Sequence, residues 1–263
     1  MAIYVTHGIV EQRSAEAFAD RNMLDVEAFA QHLLYRASRY VPLEQAQRGA
    51  GDALTVDDST VAAADACRVA RDLKHDVTFF INPANIVEER TYFFARLDAA
   101  LDRSEAAGAV HSELRAFRRT VKAQLLSQAT DANLDRIVDA ALAELCVPAP
   151  DVPKSLCTIS VEVLRDLVDR GVSIANHGWS HVDPANLSGA EFQTHVTRAA
   201  EWIAEIAGRV PTAYGVPFGE TPLPLEKERA AGVDWFLADD SLPGDRHGAH
   251  GWNRRTLVIE DAA

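Results

Sequence analysis

Four side chains stand out by type and spacing: the adjacent carboxylates Asp57 and Asp58, and the imidazoles of His177 and His181. Neutral imidazole is the commonest protein ligand for transition metals, each ring offering one nitrogen. Positions i and i+4 of a turn or a first helical turn lie on the same side, so His177 and His181 can both reach one ion. The pair alone is better explained by packing or solvation, and it becomes a candidate site only with a carboxylate beside it. Asp58 supplies one. Asp58, His177 and His181 make a 2-His-1-carboxylate set that suits Zn²⁺, Fe²⁺, Co²⁺ or Mn²⁺ and leaves positions open for water and substrate. Adjacent carboxylates at a buried strand end repel each other and call for a cation nearby. The plainer reading of Asp57-Asp58 is a solvated turn or a helix N-cap, which Ser59-Thr60 would also fit. With Asp58 on a metal, Asp57 is free to act as general base toward an attacking water.

These residues need elements to hold them. Residues 53–56 are apolar and β-prone, end abruptly in Asp57-Asp58-Ser59, and precede a helical pattern over 61–74 and a second buried strand over 77–81. Strand, helix and strand in that order imply parallel pairing through a crossover. Upstream, residues 3–5 read as a short strand ending at His7-Gly8, and 24–40 as an amphipathic helix. Residues 87–147 read as an all-α insertion of three helices. Leu134, Ile137, Val138, Ala141, Leu142 and Leu145 recur there at helical spacing, with Asp131 or Asn133 as N-cap, and Pro148, Pro150 and Pro153 punctuate the end. The alternation then resumes: Ser160 caps a helix over 161–170 ended by Gly171, and a strand follows over 172–175. Ser188-Gly-Ala-Glu191 forms a capping box for a helix that reaches Ala207 and stops at Gly208. Strands are expected over 214–219, 235–238 and 256–259, with a helix over 225–231. Such alternation predicts a parallel sheet, open or closed as a barrel, with functional groups at the carboxyl ends of its strands. That rule selects Asp57-Asp58, His177 to His181, and Pro217-Phe-Gly219.

The 263 residues, 48% hydrophobic and 25% charged, are those of an ordinary soluble globular protein, read here as a single domain over 1–263 with its helical insertion at 87–147. A formal net charge of −13 opposes binding to a phosphate backbone, so no nucleic-acid partner is expected. Cys67, Cys146 and Cys157 are odd in number and lack CxxC spacing, which reads as reduced, buried thiols. No basic region followed by an apolar run opens the chain and no stretch approaches membrane-spanning length, so a cytoplasmic protein without a signal peptide or membrane span is expected.

Taken in order, Leu54-Thr-Val-Asp-Asp-Ser59, Val77-Thr-Phe-Phe-Ile81, Ile174-Ala-Asn-His-Gly-Trp-Ser-His181 and Tyr214-Gly-Val-Pro-Phe-Gly219 resemble the polysaccharide deacetylase family, the NodB-homology or carbohydrate esterase family 4 type. The likeness covers roughly 50–83 and 155–260. It implies an α/β fold, a distorted (β/α)₇ barrel, and metal-dependent hydrolysis of an N-acetyl group on a sugar. It gives Asp57 the role of base and Asp58, His177 and His181 the metal, most often Zn²⁺, with Co²⁺, Mn²⁺ or Fe²⁺ as alternatives. Partners implied are an N-acetylated sugar, a nucleotide sugar or a lipid-linked saccharide, in the context of O-antigen or capsule biosynthesis. The helical insertion is expected to cap the active site, to pack against a second subunit in a homo-oligomer, or both.

Three departures from the family pattern matter. Ser59 replaces the usual Gly. Gly215 stands where many members carry an Arg that orients the catalytic Asp, so that support is absent or comes from elsewhere, with Arg254 and Arg255 as candidates. The last strand lacks the family's Leu-x-His, whose His is the general acid. His250 is the residue chosen for that role, with His247 in the same Gly-rich loop and His7 at an earlier strand end as further candidates. Asp239-Asp240 lies at another strand end, and Trp179 and Trp252 could stack on a sugar ring. His32, His75, His111 and His195 read as surface or packing residues. The missing Arg and His leave a second reading, a non-catalytic sugar- or partner-binding protein, and a third, hydrolysis of a non-sugar amide.

Overall fold

The computed structural model describes residues 2–14, 16–146, 151–219, 227, 232–238, 246–247 and 251–259. Its centre is a sheet in the order β11-β1-β4-β5-β6-β7-β8-β10-β9. These strands are β1 (Ile3–Thr6), β4 (Ala53–Asp57), β5 (Val77–Ile81), β6 (Ser173–Asn176), β7 (Ala213–Gly215), β8 (Trp235–Ala238), β9 (Arg246–His247), β10 (Gly251–Asn253) and β11 (Arg255–Thr256). All neighbours pair in parallel except β9 with β10. Gly251 to Asn253 pair with β8 and Arg255 to Thr256 pair with β1, so one short segment touches both edges of the sheet. The sheet therefore curls into the expected distorted barrel, with Arg254 at its seam. A two-stranded sheet of β2 (Ile9–Val10) and β3 (Leu24–Asp25) lies beside it.

Every residue of β4 and β5 is buried, as befits strands covered on both faces. Helix α3 (Val61–Asp72) starts at Thr60, whose hydroxyl accepts from Ala63 N, and buries a face of Ala62, Ala63, Ala64, Ala66, Cys67 and Ala70. Small side chains let it sit close against the sheet. Gly8 exploits this closeness: a Cβ there would lie 2.6 Å from the Ala62 carbonyl carbon, so only glycine lets the chain after β1 pass over the start of α3. Helix α8 (Val161–Asp169) is capped by Ser160, and α9 (Gly189–Ala207) opens with the Ser188/Glu191 capping box and ends at Gly208 with φ 71°.

Between β5 and α8 the described chain forms the helices α4 (Pro83–Val87), α5 (Phe93–Ala106), α6 (His111–Gln128) and α7 (Leu134–Glu144). The last three are the expected trio, joined by a core of Leu97, Leu101, Leu114, Val121, Leu125, Ile137 and Val138. Asn133 occupies the N-cap position of α7 without a capping bond, its side chain instead accepting from Thr130 N at 2.8 Å and donating to the Gln128 carbonyl at 3.0 Å, while Asp131 bonds His195. Upstream, α1 (Val26–Tyr35) is shorter than the 24–40 pattern and is capped by Asp25; the short α2 (Leu43–Gln47) follows it. The strand expected over 214–219 stops at Gly215, where the chain turns, and that expected over 256–259 is regular only through Thr256. Of the helix expected over 225–231, Lys227 alone is among the described residues, and it is helical. Of the three cysteines, free as expected, Cys67 alone is buried, and Cys146 is exposed. No described helix is long and apolar enough to cross a membrane.

His75, read from sequence as a surface or packing residue, is a structural hub. Its Nδ1 accepts from Tyr40 N at 3.1 Å and its Nε2 faces the Leu33 carbonyl at 3.0 Å, an arrangement that only the neutral ring satisfies. Burial, then the Arg36 charge, hold it below the ordinary imidazole value, and the same causes act on His32. A histidine depressed on folding contributes stability that is present above its unfolded value of about 6.5 and is lost progressively as pH falls from there through the lower folded value. The thermal midpoint is expected to drop between about pH 7.5 and about pH 5.5, and His75→Gln to shrink that drop. An unchanged drop in the variant would remove His75 from the account.

Candidate active site

The strand ends bring the sequence-selected residues together. Asp57 is the last residue of β4 and Asp58 follows it; His177 follows β6. Asp58 has φ 68°, a left-handed conformation that Asp tolerates better than most residues. Ser59, at the departure from the family pattern, is not among the residues with positive φ, so the change from Gly carries no backbone strain. The Nε2 of His181 lies 3.5 Å from Asp58 Oδ1, and that of His177 lies 3.9 Å from the same oxygen. One atom from each of Asp58, His177 and His181 falls within 4.8 Å of the others, and all three residues are buried.

Each ring has a defined state. His177 Nδ1 lies 2.8 Å from the Gly215 carbonyl, so it carries the proton and donates, leaving the Nε2 lone pair facing Asp58. Gly215 is required for this approach: a Cβ would lie 2.9 Å from the Phe80 ring and 3.1 Å from His177 Nδ1. Burial, then the His177 ring, hold His181 well below the ordinary imidazole value. Tyr92, Phe93, Phe94 and Phe218 surround His181 at ring-centroid distances of 4.8 to 6.1 Å. Its Nδ1 is buried without a hydrogen-bond partner among the described residues. Two neutral imidazoles and a carboxylate converging from rigid strand ends fit a divalent transition ion.

The loops are tied to one another. Ser59 N donates to Tyr92 Oη at 2.8 Å, and Tyr92 Oη donates to Asn82 Oδ1 at 3.0 Å. Asn82 Nδ2 donates to the His177 carbonyl at 2.5 Å, and His177 N donates to the Ile81 carbonyl at 3.0 Å. Burial, then the Asp58 charge, push the Tyr92 hydroxyl well up, so it keeps its proton. His195, read from sequence as a surface or packing residue, instead organises the loop between the two metal-candidate histidines. Its Nδ1 accepts from Trp179 N at 3.1 Å, and its Nε2 meets Asp131 Oδ2 at 2.8 Å and Ser180 Oγ at 3.3 Å. Ser180 also donates to Asp131. Serine and carboxylate share one ring nitrogen here, which is a closed positioning triangle rather than a nucleophile–base–orienter chain.

The guanidinium missing at 215 arrives from the seam. Arg254, 0% exposed, donates from Nη1 to Asp57 Oδ1 at 2.6 Å, while Arg255 is exposed. Asp57 Oδ2 remains on the His177 side, 3.9 Å from its Nε2. A cavity of about 400 Å³ opens over this group, lined by Asp57, Asp58, His177 and His181, by Val216 and Phe218 after β7, and by Phe93, Phe94 and Leu97 of α5. The helices between β5 and β6 thus wall the site, one of the two roles expected of them. His7 lines the same cavity. Trp179 does not: it packs on Ala84 and Ala199, with the Arg198 guanidinium 3.6 Å from its ring centroid. His250 and Asp239-Asp240 lie outside the described residues, as do the side chains of His247 and Trp252.

The family model for polysaccharide deacetylase matches residues 49–234. The chain belongs to the polysaccharide deacetylase family. Solved structures similar to this deacetylase-family chain agree in fold at low identity. The Streptococcus pyogenes deacetylase PplD in complex with acetate has a TM-score of 0.64 and 12% identity, over 98% of this chain and 92% of that one. A de-N-acetylase from Aggregatibacter actinomycetemcomitans has a TM-score of 0.57 and 12% identity, over 100% and 96%. IcaB from Ammonifex degensii has a TM-score of 0.57 and 15% identity, over 98% and 92%.

Removing Arg254 leaves a carboxylate buried without that partner, which costs about 3–5 kcal/mol in comparable sites. Arg254→Met is expected to lose about that much in urea unfolding, and Arg254→Lys clearly less. A loss below about 1 kcal/mol would show that other groups hold Asp57 in place.

Proposed function

We propose that this chain is a metal-dependent N-deacetylase that hydrolyses the acetamide of an N-acetylated saccharide, a precursor in surface-polysaccharide biosynthesis such as that of O-antigen or capsule. The observation that carries this reading is a carboxylate pinned by Arg254 beside the Asp58/His177/His181 donor set, in one cavity. Family membership supports it, as does the acetate bound in a structural neighbour, since acetate is the product such a reaction releases.

Asp58, His177 and His181 would hold a divalent ion, with zinc the first choice for this donor set. When bound, such an ion polarises the acetyl carbonyl and acidifies water. The remaining work falls to side chains. Asp57 Oδ2 faces the donor set while Oδ1 is held by Arg254, so one carboxylate oxygen is positioned to take the proton of the attacking water. Water oxygen bonds to the acetyl carbon, the C–N bond breaks, and the leaving nitrogen needs a proton. His7 is suited to give it: besides His177 and His181 it is the imidazole that lines the cavity among the described residues. It also lies close enough for its charge to act on His181. Gly8 holds that stretch against α3, which fixes where His7 sits. The products are acetate and a free amine. Arg254 on Asp57 weighs against the non-catalytic reading, which leaned partly on a missing arginine.

Acetate release from a panel of N-acetylated sugars is expected to vanish with chelator and return with added zinc. Asp57→Asn should keep its metal and lose about 10²–10⁴-fold in rate; unchanged release would end the mechanism. His7→Gln should lose a similar factor together with the alkaline limb of the pH–rate profile. A variant that keeps that limb would assign the acid elsewhere, with His250 next in line.

A further inference from the structure

The cavity over the candidate active site does not end at the donor set. A second cavity of about 350 Å³ adjoins it, and the two share Arg21, Asn22 and Arg118 in their walls. The annex is cationic: Arg115 and Arg119 join Arg21 and Arg118, with Glu16 as the acidic side chain among its described lining. Lys122 stands on the active-site side of the boundary. Arg115, Arg118, Arg119 and Lys122 follow i, i+3, i+4, i+7 spacing on α6 and so share one face of that helix. In a chain of formal net charge −13, four cations on one cavity-lining face run against the overall balance.

Local pairing does not neutralise the three arginines of this face. Arg118 makes two bonds to Asp98, at 2.5 and 3.0 Å, and the same carboxylate is also the one facing Arg21 Nε at 3.7 Å. One carboxylate therefore serves two guanidiniums. Burial, then the like charge of Arg118, push Arg21 down to about 10, against the opposing pull of Asp98. Arg115 and Arg119 are exposed, and neither forms an ion pair among the described residues. Like charges four residues apart destabilise a helix, so the arrangement is more favourable with an anion between them. A single carboxylate is satisfied by one guanidinium fork, whereas several forks converging from two elements match the many oxygens of a phosphate or diphosphate.

We infer that the arginine-lined annex binds a phosphate group, and that the N-acetylated saccharide presented to Asp57 is a phosphate or diphosphate ester. The second half rests on the deacetylase reading; the first does not. Arg21, Asn22 and Arg118 stand between the annex and the metal-candidate residues and line both cavities, so the charged group and the acetamide occupy adjoining spaces.

The two halves are tested separately. Calorimetric titration with inorganic pyrophosphate should show binding that weakens with salt, falls at least about tenfold in Arg115→Gln/Arg119→Gln, and is largely restored in Arg115→Lys/Arg119→Lys. No binding, or equal affinity in wild type and the glutamine variant, overturns the annex. For the reaction, N-acetylglucosamine 1-phosphate and UDP-N-acetylglucosamine are compared with the neutral methyl glycoside. The glutamine variant should raise KM for the phosphate esters about tenfold at unchanged kcat and leave the neutral compound unaffected. The better of the two esters separates a monoester from a diphosphate. An equal KM increase for the neutral compound overturns the substrate assignment. Intact pyrophosphate binding with no acetate from any compound would instead count against the deacetylase reading and leave the annex standing.

Discussion

A buried ion pair between Arg254 and Asp57 ties the chemistry of this chain to its architecture. Moving a carboxylate and a guanidinium out of water is costly, and the cost is offset only by close, well-directed hydrogen bonds. Here the bond is 2.6 Å long and both groups are nearly inaccessible, at 0% and 2% exposure. The arginine sits where one segment pairs with β8 on one side and with β1 on the other. Closing the barrel and orienting the candidate base are therefore one event. A sheet that opened at its seam would take the guanidinium away from Asp57.

The donor set is held with similar economy. Asn82 and Tyr92 link the loop after β4 to the loop after β6, so Asp58 and His177 cannot shift independently. The His195–Asp131–Ser180 triangle fixes the chain between His177 and His181, and Asp131 reaches it from just ahead of α7. The apolar rings around His181 keep it neutral, the state in which imidazole binds metals. The helices between β5 and β6 contribute Phe93 and Phe94 to that wall and, from α6, the cations of the annex. One helical unit thus supplies both the dry side of the site and its most positive side.

Much of this was legible in the sequence because strand ends announce themselves. Ala53 to Val56 and Val77 to Ile81 are apolar runs that read as buried strands, and the polar residues immediately after them fall at carboxyl edges. The Asp57-Asp58 pair and the His177/His181 spacing gain meaning from that placement. What stayed hidden depends on contacts between distant residues. Arg254 lies 197 residues from Asp57 and carries no local pattern; only the departure at Gly215 hinted that a guanidinium was owed from elsewhere. His195 looked like an ordinary helical histidine, since its partners come from residues 131 and 179–180. The basic face of α6 was present as spacing at 115, 118, 119 and 122, but it blends into a chain whose charges look scattered until the cavity beside it is seen.

The central claim is that Asp58, His177 and His181 hold an ion while Asp57, fixed by Arg254, stays off it. Anomalous diffraction at the zinc edge from zinc-grown crystals tests this most directly. The expected result is one strong peak about 2.0–2.2 Å from Asp58, His177 and His181, with Asp57 uncoordinated and bonded to Arg254. A peak ligated by Asp57, or the absence of any peak at these three residues, would contradict the account.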